Sequence, residues 1–287
     1  MKVRKGQLKV DRFLVPFRVY GNASQFIVCV NGAQQTMASW KSVVSYFSKD
    51  YSLALFDFPG QGRAQTLSGP TDVSLDEQVR VLHQVLLALN APGKVNVVGA
   101  SWGGIVVAVF AARHPELVGK IILASFGVMV SEKMLKVIRK GKELYENGKG
   151  DEVSDLIIEN FGQHLPENYK KKISYQFSAI KKENFRAFYS HGKLLETTQS
   201  LNKVVDLSNI KAETLVINGE HDTIMDMEDV KIATAQIPNC ETKIITGVGH
   251  FLHNEREDIL DIYRDFLSGE TGPRSIKPNG KMSKVPL

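Results

Sequence analysis

Apolar residues recur along this chain as short unbroken runs set between longer stretches with the spacing of a helix. The runs Phe26–Val30, Tyr51–Phe56, Lys94–Val98, Lys120–Ala124 and Glu213–Asn218 have almost no polar alternation, as expected of strands buried on both faces, and Glu241–Thr246 reads as one more strand. Helices are predicted between them, near Ser39–Ser48, Ile105–His114, Met227–Gln236 and Asn254–Leu267. A further helix carries Leu75, Val79, Leu82, Leu86 and Leu89 on one face; Ser74 and Glu77 form a capping box at its start, and it ends near Asn90 before Pro92-Gly93. This alternation predicts an α/β fold, with a mostly parallel sheet joined by right-handed crossovers and helices on both sides. Two more strand patterns, Gln7–Asp11 and Phe13–Tyr20, read as an edge hairpin, because Pro16 cannot donate to a ladder.

The rhythm breaks at about Gly127. Up to Leu207 no strong strand appears, and helical stretches follow one another near 132–147, 151–160, 167–182 and 184–199. This is the pattern of a helical lid, residues 127–207, inserted into a core made of residues 1–126 and 208–267. Residues 268–287 are rich in Gly, Pro, Ser and Lys and are expected to be a disordered basic tail.

Composition adds little to this until the charge is located. The net charge is +5 over 287 residues, with 13 Lys and Arg against 9 Asp and Glu in residues 131–193 and 4 against 1 in residues 268–287. The excess is therefore confined to the lid and tail, as a solvated helix face or as steering for an anionic partner or substrate. Nucleic acid is not an expected partner, since the basic residues are not interleaved with aromatics in any nucleic-acid-binding motif. The first residues carry charge with no apolar run behind it, so neither a signal peptide nor a membrane-spanning segment is expected, and the expected location is cytoplasmic. Cys29 and Cys240 have neither metal-ligand nor disulfide spacing and read as structural thiols.

The chemistry is concentrated where the run Lys94–Val98 meets Gly99-Ala-Ser-Trp-Gly103-Gly104 and then a helix. A Gly-x-Ser-x-Gly placed between strand and helix reads as a nucleophile elbow: the sharp turn strains the serine backbone and needs small flanking residues. Ser101 is the candidate nucleophile. A serine hydroxyl needs a base, and the base needs an orienting acid. Asp222, past strand 213–218, and His250, past strand 241–246, supply both, each at the carboxyl end of a parallel strand. The oxyanion hole is assigned to the backbone N–H groups of Trp102 and of Ala33 in the loop Asn31-Gly32-Ala33. Asn31 either contacts substrate or fixes this loop.

Rival residues are Asp226 and Glu220 as acids and His221 and His253 as bases; both histidines read better as surface or supporting groups. His83, His114, His164 and His191 have no partner pattern. No histidine pair has a carboxylate at zinc spacing, so neither metal nor other cofactor is expected. Asp57-Phe-Pro-Gly-Gln-Gly62 reads as a pocket edge or as a plain tight turn.

With elbow, acid and histidine in this order, the chain resembles the α/β-hydrolases over roughly residues 20–267. Val30–Ala33, Ala100–Gly104, Ile217–Asp222 and Gly249–Leu252 resemble one group within them. That group includes the synthase of the rhamnolipid lipid precursor and the β-hydroxyacyl carrier-protein transferases and thioesterases of polyhydroxyalkanoate metabolism. The resemblance implies an acyltransferase that joins two β-hydroxyacyl units from acyl carrier protein or coenzyme A thioesters into a hydroxyalkanoyloxy-alkanoate through an acyl-Ser101 intermediate. Asn31, Gly32, Phe161, Phe177 and Phe251 are the candidate substrate contacts, with Leu135, Ile138, Phe185 and Phe188 as further apolar lid residues. A thioesterase or esterase with the same triad is the alternative, and a ligand-binding protein on a hydrolase scaffold, which would be expected to carry a damaged triad, is the remote one.

Overall fold

The computed structural model of the chain describes residues 2–129, 131–178, 189 and 200–269. Of the helix expected at 184–199 only Tyr189 is described; Phe185, Phe188 and His191 lie outside the described residues, as does the tail from residue 270. The strands are β1 (Val3–Val10), β2 (Phe13–Tyr20), β3 (Phe26–Val30), β4 (Ser52–Phe56), β5 (Gln65–Thr66), β6 (Val95–Ala100), β7 (Val118–Ala124), β8 (Glu213–Gly219) and β9 (Cys240–Ile245). They form one sheet in the order β1-β2-β4-β3-β6-β7-β8-β9, with β5 beside β2. From β4 to β9 every neighbouring pair is parallel, while β2 is antiparallel to its neighbours. This is the α/β-hydrolase fold.

The unbroken apolar runs follow from the two layers of helices. Ile27 and Cys29 of β3 point into one core, with Leu53 and Leu55 of β4; Val28 and Val30 point into the other, with Ala54 and Phe56. Since successive side chains face opposite ways, a strand covered on both sides has no place for alternating polar residues. The covering helices are α1 (Lys41–Phe47), α2 (Leu75–Ala88), α3 (Trp102–Arg113), α7 (Met227–Ala235), α8 (Leu252–Glu255) and α9 (Ile259–Ser268). Helix α2 starts with the expected capping box, Ser74 accepting from the Glu77 N–H while Glu77 accepts from that of Ser74.

Two expectations are corrected. The hairpin is not all edge: β2 lies between β1 and β4. Pro16 is tolerated because it sits where the β4 ladder stops. Its carbonyl still accepts from Asp57 N–H (3.3 Å), and its nitrogen faces the same gap between β4 and β5, where no ladder bond is needed. The last helix is also broken in two. Arg256 is extended (φ −144°, ψ 119°) and its guanidinium is held by Thr246 O at 3.0 Å and Asp258 at 2.7 Å.

Between β7 and β8 the chain leaves the sheet for α4 (Glu132–Glu146), α5 (Gly150–Phe161) and α6 (Glu167–Ser178), which share a small apolar core of Leu144, Val153, Ile157 and Phe177. The two ends of the insertion are tied together: Met129 bridges to Ser200, and Leu201 N–H donates to Val128 O at 2.7 Å. Asp229 of α7 pins this neck to the core, its Oδ2 accepting from the N–H groups of Val128 and Met129 at 2.8 Å each. Among the described residues no helix is long and apolar enough to cross a membrane.

Candidate active site

Ser101 stands between β6 and α3 with φ 51° and ψ −119°, a conformation that L-residues rarely adopt. The strain is locked in by close packing. A Cβ on Gly103 would run into the carbonyls of Val30 and Asn31, and one on Gly99 would lie 2.6 Å from Gly103 O. Ser101 N–H donates to Ala124 O (2.8 Å) and its carbonyl accepts from Gly104 N–H (2.8 Å), so the turn is fixed from both sides. The indole N–H of Trp102 donates to the buried Gln78 of α2 at 2.6 Å, fastening the first turn of α3.

Two strand ends away, the carboxylate of Asp222 is buried and divides its two oxygens. Oδ1 accepts from the N–H groups of Ile224 (3.1 Å) and Met225 (3.3 Å), and Oδ2 lies 2.7 Å from His250 Nδ1. Burial alone would push this carboxyl up, but His250 and the two backbone donors outweigh it and hold it below the ordinary carboxylate value. The acid and histidine loops touch directly: a Cβ on Gly219 would collide with the carbonyls of Val248 and Gly249.

The histidine loop is held by two groups that sequence reading did not single out. Glu255 of α8 reaches back with both oxygens, accepting from Gly249 N–H (2.6 Å) and Phe251 N–H (2.9 Å) on either side of His250. Ser125, at the end of β7 with φ 52°, donates its hydroxyl to the carbonyl of His250 itself at 2.6 Å. Their signal was positional: Ser125 follows a core strand next to the elbow strand, and Glu255 lies one helical turn beyond Phe251.

Asn31 proves to be scaffolding. Its side chain is buried, donating to Phe56 O (2.8 Å) and accepting from the Trp40 indole N–H (2.7 Å), and it does not line the cavity described below. Asp57 completes this support, accepting from the N–H groups of Met37 (2.8 Å) and Arg63 (3.1 Å), so the Asp57–Gly62 turn braces the loop around Ala33. Burial raises the Asp57 carboxyl, opposed by those two backbone donors.

Ser101, Trp102, His250, Gly32, Ala33, Phe161, Phe177 and Phe251 all border one largely apolar cavity of about 990 Å³. Helices α4, α5 and α6 wall it on the lid side, and Phe161 packs edge-on against the His250 ring (5.1 Å between centroids). Ile138 lines it too, whereas Leu135 is buried in the core without reaching it. The rival groups stand elsewhere. Asp226 is exposed and caps α7, Glu220 accepts from Gly247 N–H, His221 stacks on His164, and His83 stacks on His114.

His253 is a supporting residue, fully enclosed behind the site rather than on the surface. Its ring stacks on Trp40 at 5.3 Å, and neither nitrogen makes a well-formed hydrogen bond, though the Ser39 backbone lies beside it. Burial lowers its pKa from 6.5 to about 4, against a small opposing effect of Ser39. The unfolded chain therefore takes up a proton near pH 6.5 that the folded protein refuses until about pH 4. Stability linked to this group is fully present above pH 6.5 and falls as pH drops through that window. The loss reaches about 3 kcal/mol. Urea unfolding between pH 4 and 7 should show the native protein losing stability relative to His253→Phe by that order; parallel curves would refute it.

The family profile described as "alpha/beta hydrolase fold" matches residues 25–257. The chain belongs to that family. Among curated proteins, the (R)-3-hydroxydecanoyl-ACP:CoA transacylase of Pseudomonas putida is 24% identical over 266 residues, 92% of this chain and 88% of the relative. The human monoacylglycerol lipase ABHD6 is 25% identical over 283 residues, 93% of this chain and 82% of the relative. Of solved structures, the α/β hydrolase MGS-M2 from a Medee basin deep-sea metagenome library superposes with a TM-score of 0.79 at 22% identity, covering 94% of this chain and 100% of that one.

Proposed function

We propose that the protein is a serine-dependent acyltransferase that draws β-hydroxyacyl groups from carrier protein or coenzyme A thioesters and joins two of them into a hydroxyalkanoyloxy-alkanoate. The observation that carries this reading is the cavity: about 990 Å³ of mainly apolar space bordered by both Ser101 and His250 has room for an acyl chain on the enzyme and a second one beside it. The likeness to a transacylase of 3-hydroxydecanoyl groups supports the same substrate class.

In this mechanism Asp222 accepts from His250 Nδ1–H, so Nε2 is the nitrogen that can take a proton. Ser101 Oγ attacks the thioester carbonyl as Nε2 takes its hydrogen. The tetrahedral oxyanion is held by the N–H groups of Trp102 and Ala33; the neighbouring Gly32 N–H is spent on Gln35 Oε1 (3.2 Å). The C–S bond breaks, the thiol leaves with the proton from His250, and an acyl ester remains on Ser101. The β-hydroxyl of a second unit, whose own thioester is cleaved by water to release its thiol and the free two-chain acid, attacks that ester with His250 again as base. The C–O bond to Ser101 breaks, and Ser101 recovers its proton. The lid, residues 127–207, has the part of keeping water from this ester.

Hydrolysis is the second reading, favoured by the likeness to monoacylglycerol lipases. It needs only water in place of the second hydroxyl. The two are separated by mass spectrometry of the lipid extract after incubation with a medium-chain β-hydroxyacyl carrier-protein thioester. The expected product is the two-chain ester, and free monomeric hydroxy acid alone would make the protein a thioesterase.

A further inference from the structure

Among the described residues, the cavity wall carries charge of one sign only. Among its described lining residues are Lys41, Lys142, Lys171 and Lys172, and no aspartate or glutamate. Lys142 is already engaged, 3.8 Å from Glu146 and 4.9 Å from the Tyr189 ring centroid. The other three are exposed, and among the described residues none of them makes an ion pair. Lys172 lies over the Tyr169 ring at 4.6 Å, which holds its ammonium in place without cancelling its charge.

These lysines come from both sides of the cavity. Lys41 opens α1 of the core, and Lys171 and Lys172 lie on α6 of the lid. The two elements are held together, because Gln176 of α6 donates its amide to the carbonyl of Gln34, in the loop that leads to Lys41. Lys172 is one helical turn before Gln176 and so shares its side of α6. The result is an apolar chamber with a cationic rim. That combination suits a molecule with an apolar tail and an anionic head, and a neutral glyceride would draw nothing from three unpaired ammonium groups.

We propose that Lys41, Lys171 and Lys172 form a phosphate-binding subsite at the cavity mouth that selects thioesters carried on a phosphate-bearing pantetheine arm. The inference rests on the acyl-thioester reading above and adds the residues that recognise the donor. A β-hydroxyacyl thioester has no charge at its reacting end, so the anion that these lysines meet belongs to the carrier arm. Lysine suits this role as a compact point charge with three rotatable donors on a flexible stem. Both sources of that phosphate, the arm on a carrier protein and coenzyme A, present it beyond the thioester along an extended chain.

The test compares one β-hydroxyacyl group on three donors: carrier protein, coenzyme A and N-acetylcysteamine, which has no phosphate. In the variant Lys41→Glu/Lys171→Glu/Lys172→Glu the ratio of kcat/KM for coenzyme A to that for N-acetylcysteamine is expected to fall at least ten-fold, through KM. The carrier-protein ratio should fall with it, and raised salt should erode the native preference. An unchanged coenzyme A ratio overturns the subsite while leaving the acyltransferase reading intact. A loss confined to the carrier protein also overturns it, since the lysines would then meet the carrier's surface and not its phosphate. Failure of the native protein to turn over any of the three overturns the thioester reading and the subsite with it.

Discussion

Replacing Ser101 with alanine is expected to lower kcat for any β-hydroxyacyl thioester by on the order of 10⁵-fold while leaving the fold intact. The two halves of this expectation have separate grounds. Ser101 Oγ makes no hydrogen bond among those of the described residues, and the residue is only half-buried, so losing the hydroxyl removes no structural contact. The strained backbone at φ 51° is as costly for alanine as for serine, so it does not distinguish the two. The unfolding midpoint should therefore stay within a degree or two of the native one, a stability change of about 0.5 kcal/mol or less.

Chemistry has no such substitute. The acyl group must be parked on an oxygen whose proton His250 can take, and the oxyanion donors alone provide only the residual acceleration that other serine enzymes show without their nucleophile. Intact-protein mass spectrometry supplies the direct readout: native protein mixed rapidly with donor should gain one acyl mass, and Ser101→Ala should gain none. Turnover persisting within ten-fold in the variant would remove the covalent mechanism and require direct attack of the acceptor on the thioester.

How far the sequence reveals such a site depends on whether the signal is local. The elbow was legible because Gly99, Ser101 and Gly103 are constrained by one turn, so sequence spacing and spatial contact coincide. Asp222 and His250 were legible because the carboxyl ends of parallel strands converge on one edge, and strand order along the chain reveals which loops are near it. The lid helices α4 to α6 were visible by periodicity within a few residues of their ends. What stayed hidden depends on pairing between distant segments. Pro16 argued for an edge strand because the stop of the β4 ladder opposite it has no mark in the sequence. Asn31 reads either as a substrate contact or as a brace of its loop, and what decides between them is its pairing with the distant Trp40 and Phe56. Glu255 and Ser125 use ordinary residue types whose role exists only because the histidine loop folds back onto them. Asp229 is similar: nothing in an amphipathic helix start shows that its carboxylate will collect the two N–H groups at the neck of the lid, 100 residues earlier in the chain.

Replacing Asp222 with asparagine should cost about 10³- to 10⁴-fold in kcat with little change in KM, and the reason lies in how the native carboxylate divides its oxygens. Oδ1 is committed to the N–H groups of Ile224 and Met225, and an amide NH₂ cannot accept from them. The asparagine carbonyl must therefore take that place, which turns Nδ2 towards His250. Facing a donor, His250 Nδ1 becomes the acceptor and its proton moves to Nε2, the nitrogen that has to receive the hydrogen of Ser101. The ring stays in place, clamped through Ser125 and Glu255, but in the wrong tautomer. Because Asp222 does not border the cavity, substrate binding is unaffected and KM holds. The native carboxyl is held below its ordinary value of 3.8, so it stays charged through the working range and does not set the acid limb of activity. Its contribution to stability is present above pH 3.8 and is lost as pH falls through its lower folded value, a dependence the asparagine variant should lack. Asp222→Ala gives the comparison, since it also strands the Ile224 and Met225 donors and should lose more thermal stability than asparagine does. A kcat for Asp222→Asn within three-fold of the native value would show that His250 is oriented by some other acid.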